Sequence, residues 1–246
     1  MKCQFRMHTA GCIFRLVIPA FVPLCCVFSI RDAAGASLGG AYFIDDAEIG
    51  AVGSCEIEHW ASFAANSDRI YVSNPACVFS LGRPVEIGAT FLRTRSAGEW
   101  GSTLALTAKT VFIASEGSGW GLGLSGAVTH DFKSAANGVI VNVPVTYDFN
   151  KQLRFNANVG WLYDPGQEQH FMTGGVGVAW NFVKPLSLLA EVFATVGPGE
   201  TNPRFQVGLR YNPLKSIDVD VIFGRNLSGE RSNWITLGLN FRTGSP

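Results

Sequence analysis

The feature that most constrains this chain is a period of two. In "VIVNVPVTYDF", Val139, Val141, Val143, Val145, Tyr147 and Phe149 alternate with Ile140, Asn142, Pro144, Thr146 and Asp148. "LRFNANVGWLYD" repeats the pattern, with Leu153, Phe155, Ala157, Val159, Trp161 and Tyr163 against Arg154, Asn156, Asn158, Gly160, Leu162 and Asp164. Alternation sustained over such lengths sends side chains to two opposite faces and fits a strand, not a helix. The same reading holds for "VEIGATFLRT", "TLALTAKTVF", "WGLGLSGAV", "HFMTGGVGVAWNF", "SLLAEVFATV", "RFQVGLRYN", "SIDVDVIFGR" and "WITLGLNF". Adding the hairpin "CEIEHWASFA" and "RIYVSNPACVF" gives about 12 strands. Pro144 lacks a ladder donor, which predicts a local bulge.

Alternation also occurs in soluble sandwiches, so the second face decides. A water-facing sheet surface should carry abundant Lys, Glu, Thr and Arg. Here the second face holds glycine, alanine, asparagine, threonine and scattered charges, which suit the crowded inside of a closed barrel. The first face ends repeatedly in aromatics (Trp120, Tyr147, Phe149, Trp161, Tyr163, Trp180, Phe182, Tyr211, Phe223), as in the interfacial girdles of membrane barrels. Charged residues make up only 15% of the chain, below the roughly 25% of soluble domains. Tight connections ("GRP", "NKQ", "KPL", "PLK") interleave with longer ones ("RSAGEWG", "PGQEQ", "GPGETNP", "SGERSN"), although "SEGSG" breaks the rule. The expected fold is all-β, a closed antiparallel up-and-down transmembrane β-barrel. A soluble β-sandwich or a closed lipid-carrying barrel is the competing reading.

Two ends complete this picture. Lys2, Arg6 and Arg15 precede an apolar run from Leu16 to Ile30, too short for a membrane helix of about 20 residues, and "AAGA" then offers a cleavage site before Ser37. Residues 1–36 are read as a cleaved signal peptide, with a retained anchor as the alternative. Residues 37–52 form a periplasmic N-terminal segment, 53–241 the barrel and 242–246 a tail. The segment "SLGGAYFIDDAEIGAVG" is a candidate plug reaching into the lumen. "WITLGLNF" would be an open edge unless it pairs with the first strand near Cys55 and closes the sheet. It also resembles the terminal signal read by the outer-membrane assembly machinery, with Gly238 and Phe241, but "RTGSP" trails behind it.

Candidate functional residues follow from the inward face. Charges of both signs are expected there: Glu86, Lys109, Asp148, Arg154, Asp164, Glu191, Arg210, Asp218, Asp220 and Arg225. They either brace the lumen as ion pairs or select a solute, and mixed signs fix no preference. The mature chain retains Cys55 and Cys77, placed almost symmetrically about "ANSD", and a structural disulfide is expected, with two free thiols as the alternative. Two cysteines without further ligands make a poor metal site, and no cofactor is expected. Balanced totals of 19 basic and 19 acidic residues argue against a nucleic-acid binder. His59, His130 and His170 lack the same-face serine and acid spacing of a hydrolase, although Ser134 and Asn137 follow His130.

The segments "DDAEIGAVGSCEIEHW", "PAC", the glutamate of "VEIG", "LLAEVF" and "GLRYNPLKSIDVDVIFG" resemble a proteobacterial outer-membrane family loosely named for the meta-pathway of phenol degradation and often called transporter-like. The resemblance implies an exported barrel that moves small, aromatic or hydrophobic compounds, and it brings no defined binding residues. The expectation is therefore a bacterial outer-membrane barrel that is a passive channel or transport component. A closed structural or surface-interaction barrel, and an outer-membrane hydrolase, are the alternatives. Expected partners are outer-membrane lipid and lipopolysaccharide, the assembly machinery and an unidentified small solute.

Overall fold

In the computed structural model, residues 41–115, 118–229 and 232–244 are described, together with the backbone but not the side chain of Glu200. The proposed signal peptide lies outside them. The described residues form twelve strands: β1 (Cys55–Ala64), β2 (Arg69–Ser80), β3 (Pro84–Ser96), β4 (Glu99–Ile113), β5 (Gly119–Asp131), β6 (Ala136–Asp148), β7 (Leu153–Asp164), β8 (Gln169–Val183), β9 (Leu186–Gly197), β10 (Glu200–Leu214), β11 (Ile217–Asn226) and β12 (Asn233–Thr243). Each pairs antiparallel with its neighbours in sequence, and β12 returns to β1, so the sheet is a closed barrel. The seam runs in unbroken register from Cys55 opposite Thr243 to Ala64 opposite Trp234. The terminal strand thus has a partner on both sides.

The alternation sorts by face as the barrel geometry demands. Outward residues such as Leu106 (64% exposed), Val159 (62%) and Val176 (60%) form a continuous apolar surface, while Asn142 (1%), Thr146 (0%) and Asp220 (0%) point inward. Such an inside-out arrangement is stable where hydrocarbon replaces water around the sheet. Aromatics gather towards both rims. Trp120 stacks obliquely on Tyr147, and Trp180 on Phe182, at the end holding the start of β1. Tyr71 stacks on Trp100, and Trp161 on His170, at the opposite end. Glycines on the inner wall make room for large inward rings: a Cβ on Gly224 would meet the Trp234 indole at 2.1 Å, and one on Gly197 the Phe171 ring at 2.3 Å.

Three expectations change. Pro144 makes no bulge. It sits opposite Asn158 in the regular β6–β7 ladder, while on the β5 side the same register holds from Leu122–Val145 to Ser125–Asn142 with the intervening pairs missing. The register slips lie elsewhere, between Val111 and Ile113, Trp180 and Val183, and Tyr211 and Leu214, all at the rim of the barrel near the termini. The contrast of short and long loops also largely disappears. "RSAGEWG" contracts to a turn at 97–98 because β3 and β4 continue pairing to Ser96 and Glu99, with Ala97 and Gly98 both at positive φ. "GPGETNP" likewise contracts to 198–199. Finally, Arg225 faces outward and is exposed, because it continues the row of Val221 and Phe223.

Candidate functional site

The lumen holds the chain's own N-terminal segment. From Ala41 to Val52 this segment is not a strand, and its described backbone hydrogen bonds to the wall run to side chains. The Glu191 carboxylate on β9 accepts from the backbone N–H of Phe43 (2.6 Å) and of Ile44 (3.0 Å), and from the Gln206 amide (2.7 Å). Phe43 stacks on Phe193 with ring centroids 4.1 Å apart. Ala47 N–H donates to Thr146 on β6 at 2.8 Å, and Thr146 donates on to Asn156. Tyr42 lies buried beside Arg210, whose guanidinium carbon is 5.6 Å from the ring centroid. Burial, reinforced by nearby Asp220, holds the Tyr42 phenol well above its ordinary range, and its hydroxyl has no partner among the described residues.

Three acids of this segment meet lumenal cations. Lys109 on β4 bonds Asp45 at 2.8 Å and reaches Asp46 at 3.5 Å. Arg154 on β7 grips Asp148 through Nε (2.6 Å) and Nη2 (3.0 Å), and also pairs with Glu48 and Asp46. A second cluster needs no help from the segment. Arg210 on β10 binds Asp220 on β11 through two bonds of 2.8 and 2.9 Å, with Asp218 3.9 Å away. Arg242 on β12 links Asp218 to Glu56 of β1 across the seam. A third network runs from Thr90 through Asn74 to Glu58.

Of the lumen candidates, Lys109 and Arg154 therefore meet in one cluster and Arg210, Asp218 and Asp220 in another. Glu191 stands apart as the clasp on the segment. Glu86 faces Lys109 across the β3–β4 ladder, yet it forms no ion pair among the described residues. Asp164 caps its turn, accepting from Gly166 and Gln167. Cys55 and Cys77 are opposite one another on β1 and β2 and joined by a disulfide. Arg242 escaped the sequence reading because it follows the last aromatic, and Asp45, Asp46 and Glu48 because they precede the first strand. The acidic run "DDAE" ahead of a barrel with inward Lys and Arg was the available signal.

The lumen has two halves. Towards the termini it opens into a cavity of about 510 Å³, walled by charged and amide groups including Glu56, Glu86, Arg154, Asn181 and Arg242. Towards the other rim an inner band is apolar, with Ile70, Val72, Leu92, Ala105, Ala127, Ile140, Leu162 and Phe171 buried. Tyr42, Ile44 to Asp46 and Glu48 to Gly50 line the cavity, and Phe43 and Ile44 pack against Phe193 and Trp234.

Among the described residues no three His, Cys, Asp or Glu side chains are grouped to hold a metal ion. His130 pairs with Asn137 and meets the Phe132 ring edge-on, while Ser134 donates instead to Asp131. His170 stacks against Trp161 and Tyr163.

A closed twelve-stranded barrel with a polar, ion-paired lumen and an apolar, aromatic-rimmed outer wall defines an outer-membrane barrel of porin type. The chain belongs to the family described as "Uncharacterised conserved protein UCP029691", whose model matches residues 26–243. Solved structures share the fold. An outer-membrane channel from Pseudomonas putida F1 superposes with a TM-score of 0.61 at 12% identity, over 80% of this chain and 98% of that one. The KdgM porin in complex with disordered oligogalacturonate gives 0.59 at 11% identity, over 76% and 98%. The NanC porin gives 0.57 at 9% identity, over 75% and 98%. No curated protein matches the chain. Nothing in these likenesses bears on phenol.

Proposed function

We propose that this protein is an outer-membrane diffusion channel gated by its own N-terminal segment. The observation that carries this reading is how residues 41–52 are held. Side chains of the wall bind them, through Glu191, Thr146, Lys109 and Arg154, and no ladder of the barrel depends on them. Displacing the segment would join the polar cavity to the apolar band and leave all twelve strand pairings intact. A lumen polar at one end and apolar at the other favours small solutes with an apolar, for instance aromatic, body and a polar group. Because carboxylates and guanidiniums share the cavity wall, we infer no preference for the sign of charge.

A permanently closed structural barrel is the second reading, favoured by the number of buried hydrogen bonds on the segment. Planar-bilayer recordings separate the two. The mature barrel is expected to show rare openings, and a variant lacking residues 41–50 a sustained conductance with uptake of small aromatic acids or alcohols into liposomes. A silent deletion variant that is folded and takes up no solute would sink the channel reading.

A further inference from the structure

We infer that the outer wall of β1–β4 carries a docking site for a membrane lipid with a phosphate-bearing headgroup. The site lies at the rim away from the termini, beside the turns at 65–68 and 97–98. Three arginines face outward there. Arg69 opens β2, and Arg95 stands directly opposite it in the β2–β3 ladder, while Arg93 is opposite Tyr71 one step further in. Like charges placed opposite each other on adjacent strands repel, and a bare pair is a poor choice for a sheet surface. An anion lying between them removes the conflict.

The described residues supply no compensating carboxylate. None of the three arginines has an ion pair among the described residues. The two acids packed nearest are engaged elsewhere: Asp68 is buried and holds Asn66 and the Ala97 N–H, and Glu99 pairs with Lys133. Arg69 spends one nitrogen on the carbonyls of Ala64 (3.0 Å) and Asp68 (2.7 Å), and Arg93 one on Ser102 (2.7 Å). Arg95 makes no hydrogen bond to any described residue.

The surroundings fix the kind of occupant. Exposed rings share the rows of the arginines, Phe63 opposite Arg69, Trp100 opposite Arg95 and Tyr71 opposite Arg93, with Phe63 edge-on to Tyr71 and Tyr71 stacked on Trp100, each pair 6.1 Å between centroids. Arg69 lies over Phe63 at 5.6 Å and Arg93 over Trp100 at 5.1 Å, so the aromatic strip and the basic patch are one surface. Aromatics of this kind mark the level of lipid headgroups, and arginine is tolerated on the lipid face only near that level. The guanidinium fork matches phosphate oxygens. A soluble anion would find the charges but waste the rings. A lipid uses both, with phosphate on the arginines and the upper acyl chain along Tyr71 and Trp100.

The full mature barrel in nonionic detergent, examined by native mass spectrometry, tests this. The probes are a diphosphorylated acyl-glucosamine lipid, the same lipid after dephosphorylation, and inorganic phosphate as competitor. The wild type is expected to retain the phosphorylated lipid about thirtyfold better than the dephosphorylated one, the scale of two surface arginines on an anionic headgroup. R93A/R95A should lower retention to the dephosphorylated level, while R83A at the opposite rim leaves it unchanged. Equal retention of both lipids by the wild type, or undiminished retention by R93A/R95A, overturns the proposal. Displacement by inorganic phosphate at equal concentration also overturns it, by making the site one for a soluble anion. If R93A/R95A does not fold, R95Q alone is read by the same criteria.

Discussion

Replacing Glu191 by alanine should release the N-terminal segment without unfolding the barrel. The Glu191 carboxylate accepts the Phe43 and Ile44 amides at 2.6 and 3.0 Å, both bonds being buried. A hydrogen bond to a charged group contributes about 1.5–3 kcal/mol. Losing two costs the docked segment at least about 3 kcal/mol, before counting the desolvated amides left behind. The bond to Gln206 lies within the wall and does not enter the sum. Three kcal/mol corresponds to about a hundredfold change in the ratio of released to docked segment. Hydrogen exchange read amide by amide is the direct assay. In E191A the Phe43 and Ile44 amides should exchange about a hundredfold faster, while amides in the middle of β9 and β10 keep their protection. Single-channel recordings should show openings more frequent by the same order. Glu191→Gln retains one acceptor oxygen and should fall between the two. If E191A leaves exchange at Phe43 and Ile44 unchanged, Glu191 is not the clasp. If it accelerates exchange across the whole barrel equally, the residue holds the fold instead of the segment.

Asp220→Asn weakens the two-bond pair between fully buried Asp220 and partly exposed Arg210 and should lower barrel stability by at most about 3 kcal/mol, read as a shift of the urea midpoint, because the guanidinium loses its main counter-charge. Reducing Cys55–Cys77 opens a crosslink spanning 22 residues and should cost about 3 kcal/mol by the chain-entropy relation, visible as a lower midpoint only under reducing conditions. Glu86→Gln should make opening up to about fivefold rarer in bilayer recordings, since Glu86 is the spare acid to which Lys109 can turn when Asp45 leaves. An unchanged or higher open probability would contradict that role. Tyr42 has a folded-state phenol pKa raised by burial, so its contribution to stability is present below the ordinary value near 10 and is lost as pH rises past it. Through that range Tyr42→Phe should leave the amplitude of the tyrosinate absorbance of the folded protein unchanged, and the loss of one tyrosine's worth would refute it.

What could be read from the sequence is what the solvent dictates locally. Lipid outside and side chains inside impose alternation on every strand, so Val139 to Phe149 and Leu153 to Tyr163 declared themselves, and "WITLGLNF" had to find a partner or remain an edge. The opposed cysteines were legible because the turn between them fixed the register. Turn lengths were not. "RSAGEWG" is polar and glycine-bearing, yet its backbone goes on pairing above the hydrocarbon, where composition no longer distinguishes strand from loop. Arg225 was misread by type: its parity follows Val221 and Phe223, but its charge suggested the inside. The site was half visible. Lys109, Arg154 and Glu191 could be placed on the inner wall by parity alone. That their partners were Asp45, Asp46, Glu48 and two backbone amides depended on a path through the lumen that no local period encodes.

The distribution of partners implies how such a gate must work. Arg210 and Arg242 are matched by acids of the barrel itself, Asp218, Asp220 and Glu56, and that side of the wall is complete without the segment. Lys109 and Glu191 are not: the one depends on Asp45 and Asp46, the other on the Phe43 and Ile44 amides. Arg154 is intermediate, keeping Asp148 when Glu48 and Asp46 depart. Withdrawing the segment into a dry lumen would therefore strand the Glu191 carboxylate and leave Lys109 with Glu86 across the ladder in place of two bonded acids, which costs far more than the bonds themselves. Water must enter as the segment leaves. The lumen is then either occupied and dry or vacated and wet, with little between, because each half-released state exposes a charge that neither partner satisfies. If the segment is the gate proposed above, gating should be two-state, with the three acids and two amides making it so.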